Sequence, residues 1–240
     1  MKIIAHRGYS THFAENTPQS WDAALAAGAY AIETDIRFSS DGVGVCAHDA
    51  DLSRLFGRPE PVSAIAHTEL IQLESENGSR IALFSEVLGY ARAGDHVLLD
   101  LKEETPQALA RLWQTVETEV PGPRRKLVIA GCHTLDAVRF FAERGGVEIL
   151  GFIPSPAEAE AFLHAGARII RLWERDVTPA LVNRLRTLGA EVWVTSGGKG
   201  TGFAGGDHTG TDLALLSAAG IGGVLVNDVA LAVQQMGTPA

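Results

Sequence analysis

The sequence predicts an α/β fold, a single-domain (β/α)8 barrel of the TIM type. Short apolar, β-branched runs recur along the chain, each bounded by Gly, Asp or Pro, and most are followed by a helical pattern. Alternation of strand and helix is typical of a parallel sheet. A length of 240 residues suits one barrel of eight such units. A doubly wound open sheet is the alternative that the same alternation allows.

Each strand is predicted from a run rich in Val, Ile and Leu, and each helix from its apolar spacing and its first residues. The predicted strands are 2–5, 30–36, 96–102, 126–131, 148–152, 168–172, 191–195 and 223–227. The predicted helices are 18–27, 85–93, 106–119, 135–144, 156–165, 179–188, 210–219 and 228–236. Thr17, Thr105, Thr134 and Thr178 stand where N-caps are expected, three of them before a proline in the first helical position.

Three segments lie outside this alternation. Residues 42–48 follow the turn signal "SSDG" and predict a hairpin that extends the second strand over the barrel mouth. Residues 51–84 contain no clear strand and predict a short insertion, with one helical turn at 69–73. Residues 196–210 are rich in glycine and predict a mobile loop. We expect residues 1–240 to form one domain.

The composition and net charge of the chain disfavour some classes of binding partner. Hydrophobic residues make up 46% of the chain, and no apolar run approaches the roughly 20 residues that span a bilayer. The net charge of −9 disfavours nucleic acid and stable association with anionic membranes. We expect a cytoplasmic protein, because "MKIIAHRG" does not resemble a signal peptide and the two cysteines suggest reduced core thiols. The composition leaves the oligomeric state open.

Charged side chains gather where the first three predicted strands end. Glu33 and Asp35 share one face of the second strand by the two-residue period, and Asp100 and Lys102 share one face of the third. His6 and Arg7 follow the first strand directly, and His48 returns on the hairpin. Barrel enzymes build their sites at these strand ends, so we expect all of these side chains to face one mouth.

Buried carboxylates require neutralisation, and two arrangements provide it. In the first, Arg7 and Lys102 pair with Glu33, Asp35 and Asp100 in a structural network. In the second, the three carboxylates bind a divalent cation. Hard Mg²⁺ or Ca²⁺ prefers oxygen ligands, whereas zinc would favour the histidines or cysteines. The whole set, placed at strand ends, favours the metal.

A metal beside Arg7 and Lys102 would suit a phosphate group. His6 and His48 would flank that phosphate, and histidine titrates near neutral pH. One ring could take a proton from the attacking oxygen while the other protonates the leaving alkoxide. The pattern therefore predicts metal-assisted cleavage of a phosphodiester. The remaining histidines, among them His12, His67 and His133, are interpreted as structural.

The motifs "HRG", "ENT", "IETDI" followed by "DG" and "HD", and "LDLK" together resemble the glycerophosphodiester phosphodiesterase family, within the phospholipase C-like phosphodiesterase barrels. The resemblance is dense over residues 3–54 and returns at "GIGGVLVND". It implies hydrolysis of small-molecule glycerophosphodiesters, such as glycerophosphocholine, to glycerol phosphate and an alcohol, with Ca²⁺ or Mg²⁺ as the cofactor, Mn²⁺ as a further candidate, and a place in lipid metabolism.

The resemblance also implies roles for individual residues. His6 and His48 correspond to the acid/base pair, Arg7 and Lys102 to phosphate ligands, and Glu33 and Asp35 to metal ligands. Asp100 stands where the family usually has Glu, so its shorter arm makes it the least typical ligand. The chain also has Ala14 where Pro is usual, and "TSGG" at 195–198 where a Trp-Thr-Val-Asn run is common.

Two other functions remain open from the sequence. A phospholipase D-like activity on lysophospholipids would need an apolar groove or a membrane-facing loop, which no stretch clearly supplies. A noncatalytic barrel that binds a phosphoryl ligand would not need both His6 and His48.

Overall fold

The computed structural model describes residues 1–237 and confirms the (β/α)8 barrel. The eight barrel strands are β1 Lys2–Ala5, β2 Ala31–Phe38, β4 His96–Leu101, β5 Val128–Cys132, β6 Glu148–Phe152, β7 Ile169–Trp173, β8 Glu191–Thr195 and β9 Gly223–Val226. All pair in parallel, and β1 contacts both β9 and β2, which closes the sheet. The doubly wound open sheet is therefore wrong.

The extra strand β3, Gly44–Cys46, runs antiparallel to β2 and pairs Ile36 with Cys46. This confirms the hairpin expected at residues 42–48. Its return path places His48 just beyond the end of β3, above the barrel mouth.

Helices follow the strands around the barrel. The α-helices are α1 Pro18–Ala26, α2 Ser53–Phe56, α3 His67–Leu70, α4 Phe84–Ala93, α5 Pro106–Glu119, α6 Leu135–Arg144, α7 Ala159–Ala165, α8 Pro179–Thr187, α9 Leu213–Ala218 and α10 Val229–Gly237. Short 3-10 turns are Val62–Ala64, Gly122–Leu127, Pro156–Glu158 and Glu174–Asp176. The four predicted threonine caps each accept a hydrogen bond from the backbone N–H three residues later.

Alternate residues of each strand belong to two apolar layers. One layer fills the barrel interior and includes Ala31, Leu98 and Trp193. The larger layer lies between strands and helices and includes Ile32, Ile36 and Leu99. Glu33 and Asp35 lie an even number of residues after Ala31, and Asp100 lies an even number after Leu98. By the two-residue period of a strand, all three carboxylates therefore point inward with Ala31 and Leu98.

The region between β3 and α4 carries α2, a 3-10 turn and α3, and it has a small apolar cluster of its own. Phe84, at the start of α4, is buried in the main core. Among the described helices, none is both long enough and apolar enough to cross a membrane.

Candidate active site

A cavity of about 610 Å³ opens at the carboxyl ends of the barrel strands. Its size suits a small-molecule ligand. All of the predicted site residues except Asp35 line it directly, and Asp35 is buried in contact with Lys102. The charged side chains in its wall are His6, Arg7, Glu15, Glu33, His48, Asp100, Lys102, His133, Arg171 and Lys199. The structure thus brings the two predicted histidines and the predicted carboxylates to one place.

Glu33, Asp35 and Asp100 form a compact group in which one carboxylate oxygen from each lies within 4.8 Å of the others. The pairing of β2 with β4 sets Asp35 directly beside Asp100. Three buried oxygen donors from adjacent strands fit a hard divalent cation. We refer to Glu33, Asp35, Asp100 and the neighbouring Lys102 as the acidic wall.

Two cationic side chains, Lys102 and Arg7, contact the carboxylates of the acidic wall. Lys102 Nζ lies 2.9 Å from Asp35 Oδ1 and 2.7 Å from Asp100 Oδ2. Arg7 lies farther away, with Nε 3.5 Å from Asp35 Oδ2 and Nη1 3.3 Å from Glu15. The structural network expected as the alternative therefore exists in part. Among the described residues, however, no cationic side chain forms an ion pair with Glu33.

This uneven pairing shifts the pKa values of Glu33 and Asp100 in opposite directions. Burial, together with repulsion from Asp35 and Asp100, raises the pKa of Glu33 well above its usual value. Burial also opposes ionisation of Asp100, but the His133 hydrogen bond and the Lys102 ammonium hold its pKa below the usual value. Without a further positive charge, Glu33 retains its proton more readily than Asp100 does.

The loop after β1 holds the acidic wall through its backbone. Arg7 and Asn16 both have positive φ angles, 59° and 57°, a region that non-glycine residues adopt only when other contacts compensate. The Arg7 N–H donates to Glu33 Oε2 at 2.7 Å. The Asn16 amide donates to Asp35 Oδ2 at 2.9 Å and accepts from the Thr34 hydroxyl at 2.8 Å. These hydrogen bonds orient the carboxylates and account for the "HRG" and "ENT" motifs.

His6 is held by Asn227, which follows β9. The His6 Nδ1 to Asn227 Oδ1 distance is 2.8 Å, and the Asn227 amide nitrogen donates to the Gly205 carbonyl at 3.0 Å. That second bond fixes Oδ1 as the acceptor, so Nδ1 carries the ring proton. Burial and then the nearby Arg7 charge lower the pKa of His6 to about 4. His6 is therefore neutral at pH 7 with Nε2 available as a proton acceptor.

His48, on the loop after β3, is held by a chain of charged side chains. Its Nδ1 lies 2.8 Å from Asp49 Oδ1. Arg54 donates to Asp49 at 2.5 Å and to Glu15 at 2.6 Å, and Glu15 also accepts from Arg7. The pairing of Nδ1 with a carboxylate leaves Nε2 as the ring nitrogen available for proton transfer.

His133 belongs to the site, although the sequence interpretation treated it as structural. It follows β5 directly, donates from Nε2 to Asp100 Oδ1 at 2.7 Å, and stacks on Phe152 with ring centroids 4.9 Å apart. The rule that selected His6, a histidine immediately after a strand, would have found it. Asn227 and Glu15 were likewise present in the quoted motifs without an assigned role.

Facing the acidic wall lies a group of different character, Phe152, Arg171 and Trp173, which we call the aromatic wall. The Arg171 guanidinium carbon lies 4.2 Å from the Trp173 ring centroid and 4.9 Å from that of Phe152. Two other aromatic residues do not line the cavity: Phe84 is in the core and Phe203 is exposed. In the glycine-rich loop, Lys199 lines the cavity whereas His208 is buried away from it.

Comparison with known proteins agrees with this geometry. The family model described as the glycerophosphoryl diester phosphodiesterase family matches residues 6–194. A glycerophosphodiester phosphodiesterase of Bacillus altitudinis is 36% identical over 69 residues, which cover 29% of this chain and 28% of that protein. The chain spans less than half the length of the curated relatives it matches.

Solved structures match over nearly the whole chain. A phosphodiesterase of Oleispira antarctica, solved with the product sn-glycerol-3-phosphate, has a TM-score of 0.81 at 20% identity and covers 99% of this chain and 97% of that one. A glycerophosphodiester phosphodiesterase of Agrobacterium tumefaciens has a TM-score of 0.78 at 22% identity, covering 99% and 100%. At these identities the likeness shows a shared fold.

Proposed function

This chain belongs to the glycerophosphoryl diester phosphodiesterase family, and from that premise we propose that it hydrolyses glycerophosphodiesters to glycerol phosphate and an alcohol. One observation carries the proposal. His6 and His48 line the same cavity as the acidic wall, from separate loops. A barrel that only bound a phosphoryl ligand would have no need of two histidines held by different partners around one space.

We propose that Glu33, Asp35 and Asp100 hold one divalent cation, Mg²⁺ or Ca²⁺, with Mn²⁺ as a further candidate. The donor set fits, because it offers three buried carboxylate oxygens within 4.8 Å and no nitrogen or sulfur ligand. The raised pKa of Glu33 supports the proposal, since a cation there would supply the positive charge that this carboxyl lacks. When bound, the ion would neutralise charge on the phosphoryl oxygens.

The protein's own residues would perform the proton transfers and hold the substrate. Neutral His6, with Nε2 free, would take the proton from the attacking oxygen. His48 would donate a proton from Nε2 to the leaving alkoxide, with Asp49 holding the ring in place through Nδ1. Arg7 and Lys102 would bind phosphoryl oxygens, and the buried Arg7 Nε has no hydrogen-bond partner among the described residues.

The attacking oxygen is either water or a hydroxyl of the substrate's glycerol. Water would form the new P–O bond as the P–O bond to the alcohol breaks, and would release glycerol phosphate directly. Attack by the glycerol hydroxyl would release the same alcohol but leave a cyclic phosphate, which water would open in a second step. In the first displacement of either route one proton passes to His6 and one leaves His48, and opening of the cyclic phosphate would reverse both transfers: His48 would take the proton of water and His6 would return one to the glycerol oxygen.

The substrate partner is thus a small molecule. We also propose that the protein acts in the cytoplasm, which rests on the free, buried Cys46 and Cys132.

An assay after chelation tests the proposal. Protein treated with EDTA would be incubated with glycerophosphocholine, glycerophosphoethanolamine, glycerophosphoserine, glycerophosphoglycerol and a lysophospholipid, each with Mg²⁺, Ca²⁺ or Mn²⁺ restored. We expect activity to return with at least one ion, and chromatography of early time points to show whether a cyclic phosphate forms. Absence of hydrolysis with every ion would overturn the function, and hydrolysis of lysophospholipids alone would identify a lysophospholipase D instead.

A further inference from the structure

Arg171 is a buried cation without an ion-pair partner among the described residues. The residue is 6% exposed, and Nε and Nη1 are buried with no hydrogen-bond partner. Within residues 1–237 no carboxylate forms an ion pair with it, whereas the cavity cations Arg7 and Lys102 are both paired. Burial lowers the pKa of Arg171 to about 10 against the opposing effect of the Asp100 and Asp176 charges, so the group stays charged at neutral pH. Leaving a buried charge unpaired is costly, which suggests that a ligand supplies the missing anion.

The scissile phosphate is not well placed to be that anion. The order of strands around the closed sheet puts β7, which carries Arg171, four strands from β2, which carries Glu33 and Asp35. In an eight-stranded barrel this is the opposite side. Both sides line the one cavity. A substrate whose phosphate lies at the acidic wall would therefore reach Arg171 with another part of the molecule.

The surroundings of Arg171 disfavour a cationic group in that part of the cavity. Faces of Phe152 and Trp173 are the surfaces on which a quaternary ammonium group would stack, but the Arg171 guanidinium already lies over both rings. Lys199 adds a second positive charge to this side of the cavity, also without an ion pair among the described residues. An anion would be attracted by both residues, and a choline group repelled.

We propose that Arg171 determines specificity for the alcohol side of the substrate, and that this alcohol carries an anionic group, a carboxylate or a phosphate monoester. The inference rests on the proposed function and adds the substrate class. A planar guanidinium binds either anion through two parallel hydrogen bonds, and its contact with the two rings fixes its orientation before the substrate arrives.

Two matched substrate pairs test the proposal and distinguish the two anions. Glycerophosphoserine differs from glycerophosphoethanolamine by one carboxylate. Glycerophosphoglycerol phosphate differs from glycerophosphoglycerol by one phosphate monoester. We expect kcat/KM of the wild-type protein to be about 10- to 100-fold higher for the anionic member of at least one pair, the range of a charge-assisted hydrogen-bonded pair. Equal values within both pairs would overturn the proposal.

Variants then assign the discrimination to Arg171. R171M keeps a long side chain that can pack between the rings, and R171K keeps the charge; R139Q, at an exposed surface ion pair, is the control. We expect R171M to lose the preference through a fall in kcat/KM for the anionic member of the pair, R171K to keep part of it, and R139Q to match wild type. A uniform loss on all substrates by folded R171M would overturn the proposal, because it would mean that Arg171 contacts the scissile phosphate.

Binding separates this inference from the proposed function. Calorimetry of both matched pairs with EDTA-treated wild-type protein and R171M requires no turnover. If no diester is hydrolysed, the proposed function fails, yet tighter binding of the anionic member of either pair by wild type alone would still support the role of Arg171. Equal binding within both pairs by both proteins would contradict it.

Discussion

The two sides of the cavity are built in opposite ways. On the acidic wall, backbone N–H groups, Asn16 and Lys102 satisfy or orient the carboxylates, and the loop after β1 accepts two positive φ angles to do so. On the aromatic wall, Arg171 has ring contacts but, among the described residues, no hydrogen-bond acceptor. The acidic wall is therefore preorganised by groups of the protein itself. The aromatic wall carries a positive charge whose hydrogen-bond acceptor would have to come from a ligand.

The first way to test this contrast is to remove the histidines beside the acidic wall. We expect His6→Ala and His48→Ala each to lower kcat by about 10²-fold or more on every diester, because the transfer of a proton is lost for all of them. Steady-state kinetics on both matched pairs measures this. His12→Ala, outside the cavity, is the control, and near wild-type turnover of either site variant would remove the role assigned to that histidine.

Glu33→Gln tests whether the acidic wall binds a cation. Burial and its acidic neighbours raise the pKa of Glu33, so the metal-free protein gains stability from the protonated form at low pH and loses that contribution as pH rises through the raised pKa. We expect the metal to displace this proton, so that affinity increases with pH. Calorimetry of Ca²⁺ or Mg²⁺ in buffers of different ionisation enthalpy measures the protons released.

The Glu33→Gln variant should release no proton from this position and bind the ion more weakly, by about tenfold or more, as expected when a charged ligand becomes neutral. Its stability without metal should depend less on pH than that of wild type. Glu69→Gln, on the surface, is a suitable control. Unchanged affinity and proton release in Glu33→Gln would mean that the ion, if bound, does not use this carboxylate.

Asn16→Ala tests the preorganisation of the acidic wall directly. The substitution removes two buried hydrogen bonds, the one that Asn16 donates to Asp35 and the one that it accepts from Thr34. It also leaves alanine at a positive φ angle, which asparagine adopts more readily. We expect the free energy of unfolding to fall by about 2–3 kcal/mol, measured by denaturant titration in EDTA. Asn77→Ala serves as the comparison. A change below about 0.5 kcal/mol would show that these bonds are dispensable.

Arg54→Ala should have the smallest effect. Arg54 is half exposed and links Asp49 to Glu15, so it positions His48 without reaching the reacting atoms. Exposed ion pairs contribute little, and we expect kcat to fall about two- to fivefold with KM nearly unchanged. Arg54→Lys should recover part of the loss, and Arg58→Ala is the control. A larger rise in KM than fall in kcat would place Arg54 in substrate binding instead.

Much of the acidic side followed from the sequence, for physical reasons. The two-residue period fixes that Glu33 and Asp35 share a face, and the same holds for Asp100 and Lys102. Threonine followed by proline fixed the starts of three helices. The turn at "SSDG" predicted the hairpin that brings in His48.

The aromatic side was harder to predict because local patterns there are ambiguous. Arg171 and Ile169 share the inward face of β7. From the sequence alone, however, a single arginine in an apolar strand is equally consistent with a side chain that points to solvent at the edge of a sheet. His133 contacts Asp100 on the neighbouring strand. Asp100 pairs with Gly131 in the register of β4 and β5, so His133 lies two residues beyond its partner position. Such contacts depend on the shear of the closed barrel, which strand assignment alone does not supply.

The central claim is that the acidic wall binds one divalent ion beside the two histidines. Anomalous diffraction from crystals grown with Mn²⁺ and sn-glycerol 3-phosphate tests it most directly. The account predicts one strong anomalous peak bound by Glu33, Asp35 and Asp100, with the phosphate next to it and Nε2 of His6 and His48 turned toward that phosphate. An anomalous map without a peak among these three carboxylates, at saturating Mn²⁺, would contradict it.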